Sequence, residues 1–250
     1  MENVVKVRGL RQVYQTKGAQ DYEALKGIDL DVQTGEFVAI MGPSGSGKSS
    51  LLNVLATLQT PTSGEVLVNG QDITRLSDKK LAQFRGETLG FIFQEYNLIE
   101  SLSVYDNIAL PLALQHFPAP EIQTRVNQVA ALLHLTAQLD KFPTALSGGQ
   151  KQRVAAARAL VHQPKLIFGD EPTGALDSAN AREMMQYLAD INEQSGISIL
   201  LVTHDAFSAS FAQKIHFLRD GQITETLTRG SQTRDAFYGQ ILTMLGNFNA

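Results

Sequence analysis

Gly42-Pro43-Ser44-Gly45-Ser46-Gly47-Lys48-Ser49 sets three glycines ahead of a lysine and a hydroxyl. Glycines let successive backbone N–H groups turn inward around anionic oxygens. The run follows an apolar stretch, Phe37 to Met41, and precedes a segment that reads as helix from Ser50 to Thr57. A helix start behind such a loop aims its dipole and its free N–H groups at the same charge. In that order, G-x-x-x-x-G-K-[ST] predicts a nucleotide-phosphate loop. Lys48 would reach the β- and γ-phosphates and the Ser49 hydroxyl would hold Mg²⁺. Ser50, at the helix start, belongs to the same nucleotide-binding set.

Two further groups bear chemistry. Leu166-Ile167-Phe168-Gly169 runs into Asp170-Glu171, paired carboxylates at the end of an apolar strand. Asp170 can reach a metal held by Ser49 through water, while Glu171, one residue on, can face an attacking water. Leu146-Ser147-Gly148-Gly149-Gln150 is a second glycine site that opens a helix reaching about Val161. The Ser147 hydroxyl and the amides of Gly148 and Gly149 could bind an anion there. One chain thus carries two anion sites of different design. If they cannot meet within a chain, two chains arranged head to tail would pair one with the other across a two-fold axis.

The elements that must hold these residues can be read from periodicity. Val5 and Val7, and then Ile28, Leu30 and Val32, alternate with polar residues, predicting an antiparallel entry over residues 3–34 with an exposed loop from Gln15 to Glu23. Thr60 to Gly64 reads as a turn into a strand, Glu65 to Val68, and Asn69-Gly70 and Asp220-Gly221 are hairpin turns. Leu89 to Phe93, Leu166 to Phe168, Ile197 to Val202 and Ile215 to Leu218 are apolar strands alternating with helices. That pattern implies an α/β fold with a mostly parallel sheet. From Glu95 to about His162 helical spacing dominates, with Ile122, Val126, Val129 and Leu132/Leu133 on one face, predicting an inserted helical lobe. The expected division is therefore a discontinuous core (1–94 and 163–228), a helical subdomain (95–162) and a tail helix (229–250) carrying Phe237, Ile241 and Met244/Leu245.

Composition narrows the function. With 43% hydrophobic residues in 250, the chain can bury a substantial core. A net charge of −4 gives no reason to expect nucleic acid as a partner. The absence of cysteine rules out disulfides and thiolate chemistry. No signal peptide is expected, since no basic segment leads into an apolar core, and no apolar run approaches bilayer length.

Together these residues resemble the ATP-binding-cassette ATPases, from about residue 3 to 228. Leu146 to Gln150 looks like the signature motif of that family, alongside its phosphate loop. The resemblance implies a P-loop core with an antiparallel β subdomain and a helical subdomain, ATP and Mg²⁺ as ligands, and an ATP-sandwich dimer. It implies that Gln94 senses the γ-phosphate and metal and joins the core to the helical lobe. By the same resemblance His204 contacts the γ-phosphate, Asp177 in Gly174-Ala175-Leu176-Asp177 lies on the loop facing the opposite copy, and Tyr14 stacks on adenine. Ala24 to Gly27, Gly35 to Gly42, Phe91 to Leu98 and Pro111-Leu112 look like the macrolide-efflux, lipoprotein-release and cell-division branch. Gly174-Ala175, with the stretch Gly230 to Phe237, is most similar to the bacitracin-resistance type. The resemblance implies an ATPase at the cytoplasmic face of the membrane that drives a separate permease. Soluble cassette ATPases of DNA repair or translation would need a long coiled-coil insertion, a second cassette or basic nucleic-acid extensions, and a P-loop kinase would lack the Ser147-Gly148-Gly149 helix start and need an acceptor pocket.

Overall fold

Period-2 patterning at the N-terminus resolves into a long antiparallel pair, β1 (Asn3–Tyr14) and β2 (Tyr22–Gln33), in the computed structural model, which describes residues 2–15 and 21–248. The middle of the loop expected over 15–23 lies outside the described residues. In chain order there follow β3 (Phe37–Met41), α1 (Lys48–Leu55), β4 (Ser63–Val68), β5 (Gln71–Asp72), α2 (Asp78–Thr88), β6 (Leu89–Phe93), α3 (Val104–Leu114), α4 (Ala119–Leu132) and α5 (Gly148–Leu160). The chain continues with β7 (Leu166–Asp170), α6 (Ser178–Ser195), β8 (Ser198–Thr203), α7 (Ala206–Ala209), β9 (Lys214–Arg219), β10 (Gln222–Thr228) and α8 (Arg234–Phe248).

Two sheets result. An antiparallel one runs β2-β1-β4-β5, and a six-stranded one runs β10-β9-β3-β8-β7-β6, parallel except for the edge pair β9–β10. Continuous apolar strands need cover on both faces, and the clusters show how it is supplied. Phe37, Ala39 and Met41 turn to the face packed by the helices from α3 to α8. Val38 and Ile40 turn to the other, packed by α1 and the antiparallel sheet. Phe237 and Ile241 of α8 are fully buried in the first of these clusters, so the tail helix completes that face of the core. Helices α3, α4 and α5 share the same cluster.

The differences from expectation are local. Helix α1 starts at Lys48, so the lysine sits in its first turn, and it ends at Leu55, with Thr57 in a left-handed conformation (φ 58°). Strand β4 begins at Ser63 rather than Glu65, because Ser63 still pairs with Arg11 of β1. On α4 Leu133, just past its end, is buried and Leu132 is 49% exposed. Helix α2 was not anticipated: only Phe84 and Thr88 of it are buried, too few to show a period, and Arg85 ties it to the Thr57 carbonyl at 2.8 Å. Both two-residue hairpins form, with Asn69-Gly70 and Asp220-Gly221 at positive φ.

The register places the chemistry. Met41 pairs with Thr203, Asp170 with Val202, and Phe93 with Asp170. The carboxyl ends of β3, β8, β7 and β6 therefore lie along one edge, where open α/β sheets bind ligands.

His216 on β9 tests the core. Its Nδ1 lies 2.9 Å from Thr226 Oγ1, its Nε2 is buried without a partner, and burial, aided by Lys214 and opposed by Glu36, lowers its pKa to about 4. The unfolded imidazole titrates near 6.5, so the stability held above that pH is lost as pH falls from about 6.5 to about 4, in total about 3 kcal/mol. Urea unfolding should show that loss in the parent chain and a shallower one in His216→Leu.

Candidate functional site

The phosphate loop connects β3 to α1. Gly47 caps the helix at φ 107°, and a Cβ there would lie 2.6 Å from the Ala24 carbonyl oxygen, so only glycine fits. No side chain caps α1 and its first turn has no acidic residue, which leaves its N–H groups open to an anion. Ser46 turns its backbone carbonyl to the Gly221 amide (3.0 Å), while its hydroxyl is buried with no partner. Lys48 Nζ donates to the carbonyls of Gly42 (2.8 Å) and Pro43 (2.9 Å). Burial lowers its pKa, and Glu171 and Asp170 raise it. Pro43, Ser44, Gly45 and Ser49 are exposed, and Ser50 is half-buried.

The carboxylates stand beside this loop. Burial first, then Glu171, pushes the Asp170 carboxyl above the usual range, and Lys48 pulls it back. Glu171 has φ 45° and donates its own amide to the Val202 carbonyl at 2.9 Å, which anchors it to β8. Its Oε1 meets His204 Nδ1 at 2.8 Å. Gln94, at the end of β6, lies against Gly174, where a Cβ would come within 2.9 Å of its amide. Gln94, Glu171 and His204 line one cavity of about 430 Å³ with Thr173, Gly174 and Thr203.

A second group forms at the starts of α5 and α6. Ser147 Oγ accepts from the Gln150 amide (3.3 Å) and Gln150 Oε1 accepts from the Ser147 amide (3.0 Å), a reciprocal cap. The hydroxyl proton of Ser147 remains for another acceptor. Gly149 sits so close to the Asn180 side chain that a Cβ would overlap it, and Gly148 lies under the Tyr96 hydroxyl. Asp177 caps α6 by accepting from the amides of Ala179 (3.0 Å) and Asn180 (2.9 Å) and from Asn180 Nδ2 (2.7 Å). The Asn180 bonds, backbone first, hold its carboxyl below the usual range. No residue of 147–150 lines the cavity of Gln94, Glu171 and His204.

Tyr14, at the end of β1, has its hydroxyl 3.0 Å from Ser50 Oγ and 2.9 Å from Gln59 Oε1, which fixes its ring beside α1. Sequence reasoning missed Tyr22, 54% exposed, whose hydroxyl donates to the Gly45 carbonyl at 3.3 Å. It also missed Asn180 and Gln152. An Asp177 cap with Asn180 three residues on is a local signal that could have flagged Asn180, but nothing local marks Tyr22, because β1 and β2 must pair before it faces the loop.

A family model described as ABC transporter matches residues 25–174. The chain belongs to that family. As an ABC ATPase it is similar to the bacitracin export ATP-binding protein BceA of Halalkalibacterium halodurans, 45% identical over 97% of this chain and 96% of that one. It is also 47% identical to the uncharacterized ABC transporter ATP-binding protein YvcR of Bacillus subtilis, over 97% of this chain and 94% of the relative. Among solved structures, an ATP-binding cassette of Methanocaldococcus jannaschii, a dimer in a post-hydrolysis state with ADP and Pi, superposes with a TM-score of 0.83. It is 38% identical and the match covers 90% of this chain and 98% of that one. Within the ABC ATPase described here no helix among the described residues is long and apolar enough to cross a membrane.

Proposed function

We propose that this ABC ATPase closes on ATP as a head-to-tail pair of copies and thereby drives a separate membrane permease that acts in resistance to bacitracin-like peptide antibiotics. The observation that carries the two-copy reading is the separation of the anion sites. Lys48, Asp170, Glu171, His204 and Gln94 gather at one sheet edge, whereas the Ser147–Gln150 cap opens α5 and lines no part of the cavity of Gln94, Glu171 and His204. The second half of each site then comes from the opposite copy's Ser147, Gly148 and Gly149, with Asp177 at the seam. The peptide-antibiotic part rests on the full-length likeness to the bacitracin export protein.

The geometry supports the following roles. The loop amides and Lys48 bind the β- and γ-phosphates, and the unpartnered Ser46 hydroxyl suits the same anion. Tyr14 offers its ring to adenine. Glu171 takes the proton of the attacking water as the water oxygen bonds to the γ-phosphorus and the bond to the β-phosphate oxygen breaks. His204, steadied through Nδ1 by Glu171, turns its other ring nitrogen to the γ-phosphate. Ser49, Gln94 and Asp170 offer only oxygen donors, the chemistry Mg²⁺ prefers, and they would hold such an ion beside the phosphates. Such an ion neutralises charge on the phosphate oxygens.

A groove of about 1070 Å³ suits the permease. Phe91, Phe93, Leu110, Pro111, Leu114 and Phe117 line it between α2, β6 and α3. Arg158 of α5 donates to the carbonyls of Tyr96 (2.9 Å) and Asn97 (2.6 Å), tying the segment after Gln94 to the signature helix. Nucleotide state at Gln94 is thus within reach of the groove. A chain bound there would work at the cytoplasmic face, where ATP is available.

Co-expression with the protein encoded by the neighbouring reading frame is the test. A stable membrane complex whose ATPase activity confers bacitracin resistance is the expected result. ATP hydrolysis without permease association would overturn the transport reading, and association without resistance would overturn the substrate.

A further inference from the structure

Gln152 is completely buried on α5, five residues beyond the Ser147 cap, and its Nε2 donates to two carbonyls at once. One belongs to Phe93 (3.2 Å), the residue before Gln94, and the other to Pro172 (2.5 Å), the residue after Glu171. Its Oε1 is buried with no partner. The reverse orientation of the amide would aim that oxygen at both carbonyls, so the assignment is forced by electrostatics. An unpartnered buried oxygen is unfavourable. What the position gains from the amide is a pair of N–H donors that diverge from a single nitrogen toward the ends of two strands.

The contacts continue on both sides. The Glu171 backbone carbonyl accepts from the Gly174 amide at 2.9 Å, and Gln94 lies against Gly174. Thr173 Oγ1 is 2.9 Å from Ser208 Oγ, which donates at 2.6 Å to Asp205, the residue after His204. The roots of Gln94, Glu171 and His204 are therefore tied together, and Gln152 ties them to the helix that presents Ser147 to a second copy.

We infer that Gln152 is a positioning residue, holding Gln94 and Glu171 at their hydrolytic distances and passing displacements of the signature helix to them. The inference rests on the proposed roles of those two residues. A shift of about 1 Å in a reacting group can cost on the order of a hundredfold in rate. Gln152→Met keeps the volume and removes both donors. It should lower kcat for ATP hydrolysis by about ten- to a hundredfold, while the calorimetric affinity for ATP stays within about twofold, since Lys48 and its loop are untouched. Val154→Ala on the same helix is buried but touches neither carbonyl by hydrogen bond, and it serves as the control for general loosening.

Gln152→Glu supplies a readout that loosening does not move. A buried carboxylate there would face two carbonyls, so it would protonate, and the protonated form regains one donor. Its kcat relative to the parent chain should rise as pH falls from about 8 to about 6, with no such rise for Gln152→Met or Val154→Ala. The inference is overturned if Gln152→Met keeps kcat within twofold of the parent, or loses it no more than Val154→Ala at equal loss of melting temperature. Should Gln152→Met not fold, a flat pH ratio for Gln152→Glu overturns it instead. Full hydrolysis by Glu171→Gln would sink the proposed function itself, whereas an inactive Glu171→Gln beside a normal Gln152→Met would remove only this inference.

Discussion

Glu171→Gln should bind ATP as well as the parent chain, hydrolyse it about 10²- to 10⁴-fold more slowly, and accumulate as a two-copy species with ATP on sizing. The shape of the side chain survives, and an amide oxygen can still meet His204 Nδ1, now 2.8 Å from Glu171 Oε1. What disappears is the basic oxygen proposed to take the proton of the attacking water. Charge works in the same direction. Glu171 raises both the Lys48 and the Asp170 pKa, so removing its charge relieves repulsion toward Asp170 and the incoming γ-phosphate. Closed pairs then form and persist, because phosphate loss no longer opens them. Sizing with and without ATP, together with a phosphate-release assay, checks both halves. A single-copy species with undiminished turnover would count against the base and the two-copy arrangement alike.

Lys48→Ala should weaken ATP binding by about ten- to a hundredfold in a calorimetric titration. That is the scale of a lost charge-assisted hydrogen bond, about 1.5–3 kcal/mol. Two effects add here. The ammonium that would meet the phosphates is gone, and with it the positive charge that offsets Asp170 and Glu171. The carbonyls of Gly42 and Pro43 also lose their donor, so part of the loss is in the shape of the loop. The Asp170 carboxyl should titrate still higher than in the parent chain, since Lys48 is what pulls it down. Wild-type affinity in this variant would remove Lys48 from the nucleotide site.

Much of the molecule can be read along the chain, wherever the determining interaction is local. Asn69-Gly70 and Asp220-Gly221 name their hairpins because two consecutive positive φ angles are demanded within two residues. The phosphate loop is legible for the same reason: strand, glycine turn and helix start are contiguous, so both the backbone and its chemistry lie inside one window. Helix α2 was not legible, because only Phe84 and Thr88 of it are buried and its ties, Arg85 to Thr57 and Gln115 to the Gly86 carbonyl, join residues far apart in the chain. Leu132 and Leu133 could not be separated either, since helical spacing admits both and packing buries only the second.

The sequence by itself therefore determined the glycine loop proposed to grip phosphate, the carboxylate pair, the capped glycine site and the alternation of strands and helices that carries them. Only the tertiary structure decided which of these meet. Strand register brings the ends of β3, β6, β7 and β8 to one edge, so Gln94, Glu171 and His204, far apart in the chain, share a cavity. The same packing keeps Ser147 to Gln150 outside it and drives Gln152 between two carbonyls whose roles no local pattern announces. The physical reason is one of range: dihedral and capping preferences act over a few residues, whereas hydrogen bonds from a buried side chain to residues 59 and 20 positions away exist only once the core has closed around it.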